Sequence, residues 1–135
     1  MDRDFDAKLN EFKAYLKDME YLSAAIAGLY WDSRTYIPRS GAAYRGEVLG
    51  YLSAELYRKQ TSQQMRDFLE YFSARPDMDD VTRAMVDRLK REYDRMVKIP
   101  EERYRAYVVA VSAAEAAWED AKGKADYALF APHLE

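Results

Sequence analysis

Apolar residues recur at steps of three and four through most of the chain. Phe5, Leu9, Phe12, Leu16, Met19, Leu22, Ile26 and Leu29 form one such stripe, the mark of an amphipathic helix. The spacing predicts a first helix from about Asp4 to Tyr30, roughly 40 Å long at 1.5 Å per residue. The stretch LYWDSRTYIP, Leu29 to Pro38, then reads as a loop, with Pro38 and Gly41 as breakers and Ser40 as an N-cap. A second helix is expected from about Ala42 to Lys59, carrying Val48, Leu49, Leu52, Leu56 and Tyr57. Thr61 or Ser62 should cap a third, with Met65, Phe68, Leu69 and Phe72 on one face. It should end near Arg75, because Pro76 disfavours helix in the residue before it.

PDMDD is a helix-start signal in which Asp79 or Asp80 can cap. The fourth helix, to about Lys98, carries Val81, Met85, Leu89, Tyr93, Met96 and Val97. KIPEE places Pro100 in the first turn of a fifth, with two Glu at its positive end. Tyr104, Tyr107, Val108, Val111, Trp118 and Ala121 follow, Gly123 is the expected terminator, and Asp126 can cap a last turn. No strand pattern of useful length, internal repeat or low-complexity linker is present. The pattern predicts an all-α fold, an antiparallel helical bundle of about five main helices plus a short C-terminal turn, spanning 1–135 as one helical domain.

Composition sharpens this picture. The chain has 135 residues, enough to bury a core without staples, with only five Gly and four Pro to break helices. Twelve Tyr point to half-buried helix faces, since the ring is apolar and the hydroxyl stays wet. A net charge of −3 without a basic stripe argues against a nucleic-acid partner. The charged opening, MDRDFDAKLNEF, carries no apolar run of the signal-peptide kind, and no run is long enough to span a membrane. There is no Cys, hence no disulfide framework or thiolate site, and the expected setting is the cytoplasm. The apolar ending ADYALFAPHLE leads to two expectations: a chain that continues in a longer protein, or a segment that folds back onto the bundle.

Candidate chemistry is sparse. One His, His133, and no Cys make a nucleophile–base pair or a His-rich zinc site unattainable within the chain. His133 is expected at the surface or in packing. No Glu has a His three residues on, as a di-iron bundle requires. Glu115, Glu119 and Asp120, beside Lys122 and Lys124, read as a solvated helix face rather than a carboxylate metal site. Nothing in the spacing brings Asp32 and Glu47 together for acid–base work. Asp32 should pair with Arg34 or Arg45 and brace the loop. Trp31, Tyr36 and Ile37 should be wedged between helices. Tyr44, Tyr51, Tyr104 and Tyr107 form either a half-buried seam or a docking face.

The motifs resemble those of the carboxypeptidase Taq family of metallocarboxypeptidases. Leu29-Tyr30-Trp31-Asp32, Thr35-Tyr36-Ile37-Pro38 and Gly41-Ala42 with Arg45 are similar to its L-x-W-D, T-x-M-P and G-A-x-x-R segments. Lys98-Ile99-Pro100-Glu101-Glu102 resembles its K-I-P-E-E junction. Ala116-Ala117-Trp118 and the run Asp126-Tyr127 to Leu134-Glu135 resemble its later motifs, in the same order along the whole chain. Ile37 stands where the family usually has Met, and Ala125 where it often has Ser or Asn.

The resemblance implies a zinc-type peptidase whose helices come from several hundred residues. Its H-E-x-x-H has two His on zinc and a Glu that activates water. That motif is absent here, so no catalytic or metal residue carries over, and no cofactor is expected in this chain; zinc or a similar divalent metal belongs to the parent enzyme. What remains is a wall or lid of the cleft, with Trp31, Asp32, Arg34, Tyr36 and Arg45 as cleft-shaping or structural candidates and the rest of the parent enzyme as partner. The alternative is a freestanding module that forms a homodimer through exposed helix faces.

Overall fold

A computed structural model describes residues 3–135; Met1 and Asp2, which open the charged N-terminal stretch, lie outside it. Five α-helices follow one another: α1 (Arg3–Thr35), α2 (Ala42–Gln60), α3 (Gln63–Ser73), α4 (Asp80–Met96) and α5 (Glu101–Lys124). Three short 3-10 turns, Arg39–Gly41, Tyr127–Leu129 and Ala131–His133, complete the set, and no strand occurs among the described residues. The fold is all-α. No helix among the described residues is long and apolar enough to cross a membrane.

The contacts divide the chain into two compact units. One takes the chain up to Ser23 with Leu56–Pro100; the other takes Ala24–Glu55 with Glu101–Glu135.

The first unit is organised around an aromatic core. Phe12 of α1 stacks on Phe68 at 4.7 Å and on Phe72 at 5.4 Å between ring centroids. Met19, Met65, Leu69, Met78 and Val86 complete the buried cluster. The four apolar positions of α3 recur on one face, and all four are buried, as the 3.6-residue period dictates. Its N-cap is Ser62, whose Oγ accepts from Met65 N at 3.0 Å. Tyr15 O–H lies 2.8 Å from the same Oγ and donates to Lys59 O at 2.7 Å, so one polar node ties α1 to the α2–α3 turn. Asp79 caps α4, accepting from Val81 N and Thr82 N at 3.0 Å and from the Thr82 hydroxyl at 2.6 Å. These bonds favour the carboxylate, and its pKa is lowered from 3.8, first by the Thr82 hydroxyl and then by the Thr82 N–H.

In the second unit α2 and α5 approach closely through small residues. A Cβ on Gly50 would stand 2.7 Å from Val109 Cγ2, and one on Gly46 would stand 3.2 Å from Ser112 Oγ. Residue numbers fall along α2 as they rise along α5, so this pair is antiparallel. The buried apolar set of the unit is small, comprising Leu49, Ala54 and Ala121. The C-terminal 3-10 turns pack on α5, although Leu129 and Leu134 stay exposed.

Three boundaries differ from the sequence expectation. The helix expected to stop at Tyr30 runs on to Thr35. The backbone stays helical until Pro38 disfavours helix at Ile37, and Ser33 and Thr35 fold their hydroxyls back onto Leu29 O at 2.9 Å and Trp31 O at 2.7 Å. Ser40 is no cap; it sits inside the 3-10 turn Arg39–Gly41, which has no side-chain cap bond. Gly123 does not end α5. The helix passes through it, and Ala125 takes the left-handed turn at φ 52°. Asp126 caps the next turn as expected, accepting from Ala128 N at 3.1 Å.

Candidate functional site

All five residues singled out from the sequence, Trp31, Asp32, Arg34, Tyr36 and Arg45, lie in the second unit. Trp31, Asp32 and Arg34 stand on the last turns of α1 rather than in a loop. Arg45 of α2 is the anchor. Its Nη1 donates to Asp32 Oδ2 at 2.8 Å and to Leu29 O at 3.0 Å, with the side chain 20% exposed. The bond to Leu29 O reaches a carbonyl near the C-terminal end of α1, where a cation complements the helix dipole. Of the two expected partners of Asp32, Arg45 is the one that pairs.

Arg34 instead reaches α5 and meets Glu119, Nη1 to Oε1 at 3.0 Å. One turn earlier on both helices, Tyr30 O–H donates to Glu115 Oε1 at 3.0 Å. Arg39, in the 3-10 turn, pairs with Asp120. The partners rise together along α1 and α5, so these two helices run parallel within the unit, in departure from a wholly antiparallel arrangement. The Tyr30 pKa is raised from 10.0, chiefly because its hydroxyl donates to the Glu115 carboxylate. The acids of α5 are therefore not a plain solvated face. A signal existed in the sequence: Tyr30 and Arg34 share an i, i+4 spacing with Glu115 and Glu119, and two such pairs can register two helices side by side.

The rings behave differently from the sequence expectation. Trp31 is 67% exposed and Tyr36 84% exposed, so neither is wedged between helices in this chain. Ile37 is half-buried, against Gly41. Of the tyrosine set, Tyr44, Tyr51 and Tyr107 are exposed and Tyr104 is half-buried, its pKa raised by burial. His133 is exposed in the last 3-10 turn.

The first unit offers a groove between α3 and α4, lined by Leu69, Tyr93 and Val97 among others. Its rim charges neutralise one another in i, i+4 pairs, Arg66 with Glu70 at 2.8 Å and Lys90 with Asp94 at 3.5 Å. That leaves the groove little with which to select a charged ligand.

The chain is all-helical, and the acids of α5 that face α1 and the turn after it are held by Tyr30, Arg34 and Arg39. A family model described as "Carboxypeptidase Taq (M32) metallopeptidase" matches residues 11–135. The chain belongs to that family. It is 42% identical over 126 residues to carboxypeptidase 1 of Bacillus subtilis, covering 93% of this chain and 25% of that protein. It is 28% identical over 133 residues to thermostable carboxypeptidase 1 of Thermus thermophilus, covering 96% and 26%. Among solved structures, "BsuCP Crystal Structure" matches with a TM-score of 0.91 at 41% identity, over 96% of this chain and 26% of that one. The chain thus spans about a quarter of the length of the curated relatives it matches.

A metallopeptidase family implies a metal, but the residues of this chain do not fit one. Among the described residues no group of three or more His, Cys, Asp and Glu converges on a common point. Glu115, Glu119 and Asp120 each face a different partner on α1 or the turn after it.

Proposed function

We propose that this chain is the N-terminal helical section of a metallocarboxypeptidase that removes C-terminal amino acids from peptides. It shapes a wall or lid of the active-site cleft and supplies no metal ligand of its own. The observation that carries this reading is a family match over residues 11–135 in a chain whose whole sequence holds one His. Two His on one helix are the minimum for the zinc arrangement that the motifs imply. The Arg45–Asp32 pair and the Arg34–Glu119 pair at the end of α1 give such a wall a fixed edge. The remainder of the enzyme is the partner, and the Cys-free composition supports a cytoplasmic setting.

The test is a carboxypeptidase assay and a zinc analysis on the 135-residue chain, beside the same measurements on a family-length protein that contains it. The expected outcome is no activity and no stoichiometric zinc in the short chain, and both in the long one. Full activity from the short chain would overturn the reading. The exposed rings of Tyr44, Tyr51 and Tyr107 favour a second reading, self-association of a freestanding module. Light scattering across concentration tests it, and a strict monomer excludes it.

A further inference from the structure

The outer face of α5 is apolar where a surface helix should be charged. The side of α5 that meets the rest of its unit is defined by Arg105, Val109 and Ser112 toward α2 and by Glu115 and Glu119 toward α1. On the opposite side the 3.6-residue period places Ala106, Tyr107, Ala110, Ala113, Ala114, Ala117 and Trp118. Ala106, Ala110 and Ala113 are exposed, Tyr107 is 65% exposed and Trp118 41% exposed. No charged residue falls on this face between Arg103 and Lys124. A helix that is apolar on more than one side is a buried helix in its finished setting. Alanines at i, i+4, i+7 and i+11 let another helix axis come close, within about 8–10 Å, while Tyr107 and Trp118 flank the contact.

We propose that this face is the docking surface for a helix from the remaining three-quarters of a family-length chain. This rests on the function proposed above. The occupant follows from length: the relatives at 42% and 28% identity are about four times as long as the matched part. Their extra chain must meet this quarter somewhere, and the uncharged side of α5 from Ala106 to Trp118, before the C-terminal turns pack on the helix and Ala121 is buried, is an alanine-rich helix face flanked by exposed Tyr107 and Trp118. The partner helix is apolar, with large side chains seated over the alanines.

The chain has no Cys, which makes thiol labelling a clean probe. Ala110→Cys and, as control, Arg88→Cys are introduced into the 135-residue chain. Both are also introduced into a chimera in which the chain replaces the matching part of Bacillus subtilis carboxypeptidase 1. Maleimide incorporation at each site is followed by mass spectrometry. The control should label at equal rates in the two settings. The Ala110→Cys site should label quickly in the short chain and at least about tenfold more slowly in the chimera, the factor expected when a site opens only through a fluctuation costing about 1.4 kcal/mol or more.

Equal rates at that site in an active chimera overturn this inference and leave the proposed function standing. A folded but inactive chimera overturns the proposed function, and this inference with it. Concentration-dependent protection in the short chain would mean that a second copy covers the face, and that too overturns the proposal. The same substitution at the matching position of native Bacillus subtilis carboxypeptidase 1, which needs no graft to fold, gives an independent reading: free labelling there refutes the docking surface.

Discussion

The two units of this chain bury their apolar groups to very different extents. In the first, α3 and α4 are one-sided helices. Met65, Phe68, Leu69 and Phe72 turn inward against Phe12, and the outward sides carry ion pairs such as Arg66–Glu70 and Arg88–Glu92. In the second, α5 leaves Ala106, Ala110 and Ala113 exposed on its outer side, and α1 leaves Ala24, Ala25, Ala27 and Gly28 exposed. What holds that unit is close helix approach at Gly46 and Gly50 and a row of polar pairs from α1 and the following turn to α5. The difference teaches how to read an enzyme family's helical segments one by one. A helix with one apolar stripe has finished its packing within its own unit. A helix that keeps a second, uncharged side exposed, as α5 does, is the one proposed above to receive a further helix.

Substitutions test this contrast in descending order of effect. Phe12→Ala removes the ring stacked between Phe68 and Phe72 and should cost about 3–5 kcal/mol, measured by urea unfolding; a cost below that range would mean the first unit collapses around the void. Gly50→Leu sets a side chain against Val109 and should cost about 1–3 kcal/mol, whereas Gly28→Ala, with nothing within 4 Å of the added Cβ, should gain up to about 1 kcal/mol. If the two glycines respond alike, close approach is not what orders the second unit. Ser62→Ala removes the α3 cap and a partner of Tyr15, for a loss of about 1 kcal/mol. Arg45→Met should cost about 1 kcal/mol or less, and less still in high salt, because half of its ion pair faces water.

The smallest effects are pH edges of opposite sign. Asp79 has a lowered folded pKa, so its contribution is present above pH 3.8 and is lost as pH falls through the lower folded value. Tyr30 has a raised folded pKa, so its contribution is present below pH 10 and is lost as pH rises through the folded value. Asp79→Asn should flatten the acid edge of the thermal melt, and Tyr30→Phe the alkaline edge. Either substitution altering the other edge would contradict the assignment.

The first unit was legible in the sequence because its physics is local. The stripe of α3, its Ser62 cap and the Asp79 signal are all set within a few residues of one another. The second unit was harder to read. LYWDSRT looks like a loop by composition, yet it lies within α1, where the Ser33 and Thr35 hydroxyls bond back inside the helix and Tyr30 and Arg34 reach to α5. Trp31 and Tyr36 were expected inside because large rings usually are, but in this chain no neighbouring side chain covers them. The Asp32–Arg45 pair was legible in its members, whereas the pairing of the α5 acids left only a shared i, i+4 spacing as its signal, since Tyr30 lies 85 residues from Glu115. Family membership was legible for a different reason: ordered short motifs survive where no single one is decisive.

The placement of the two tryptophans has an optical consequence. Trp31 and Trp118 both belong to the second unit, and the first carries only Phe and Tyr rings. Tryptophan emission therefore watches one unit, while the near-ultraviolet circular dichroism of the stacked Phe12, Phe68 and Phe72 watches the other. A melt followed by both signals separates the units without a label. Trp118, at the edge of the bare face of α5, would turn bluer in emission when an apolar helix closes over it.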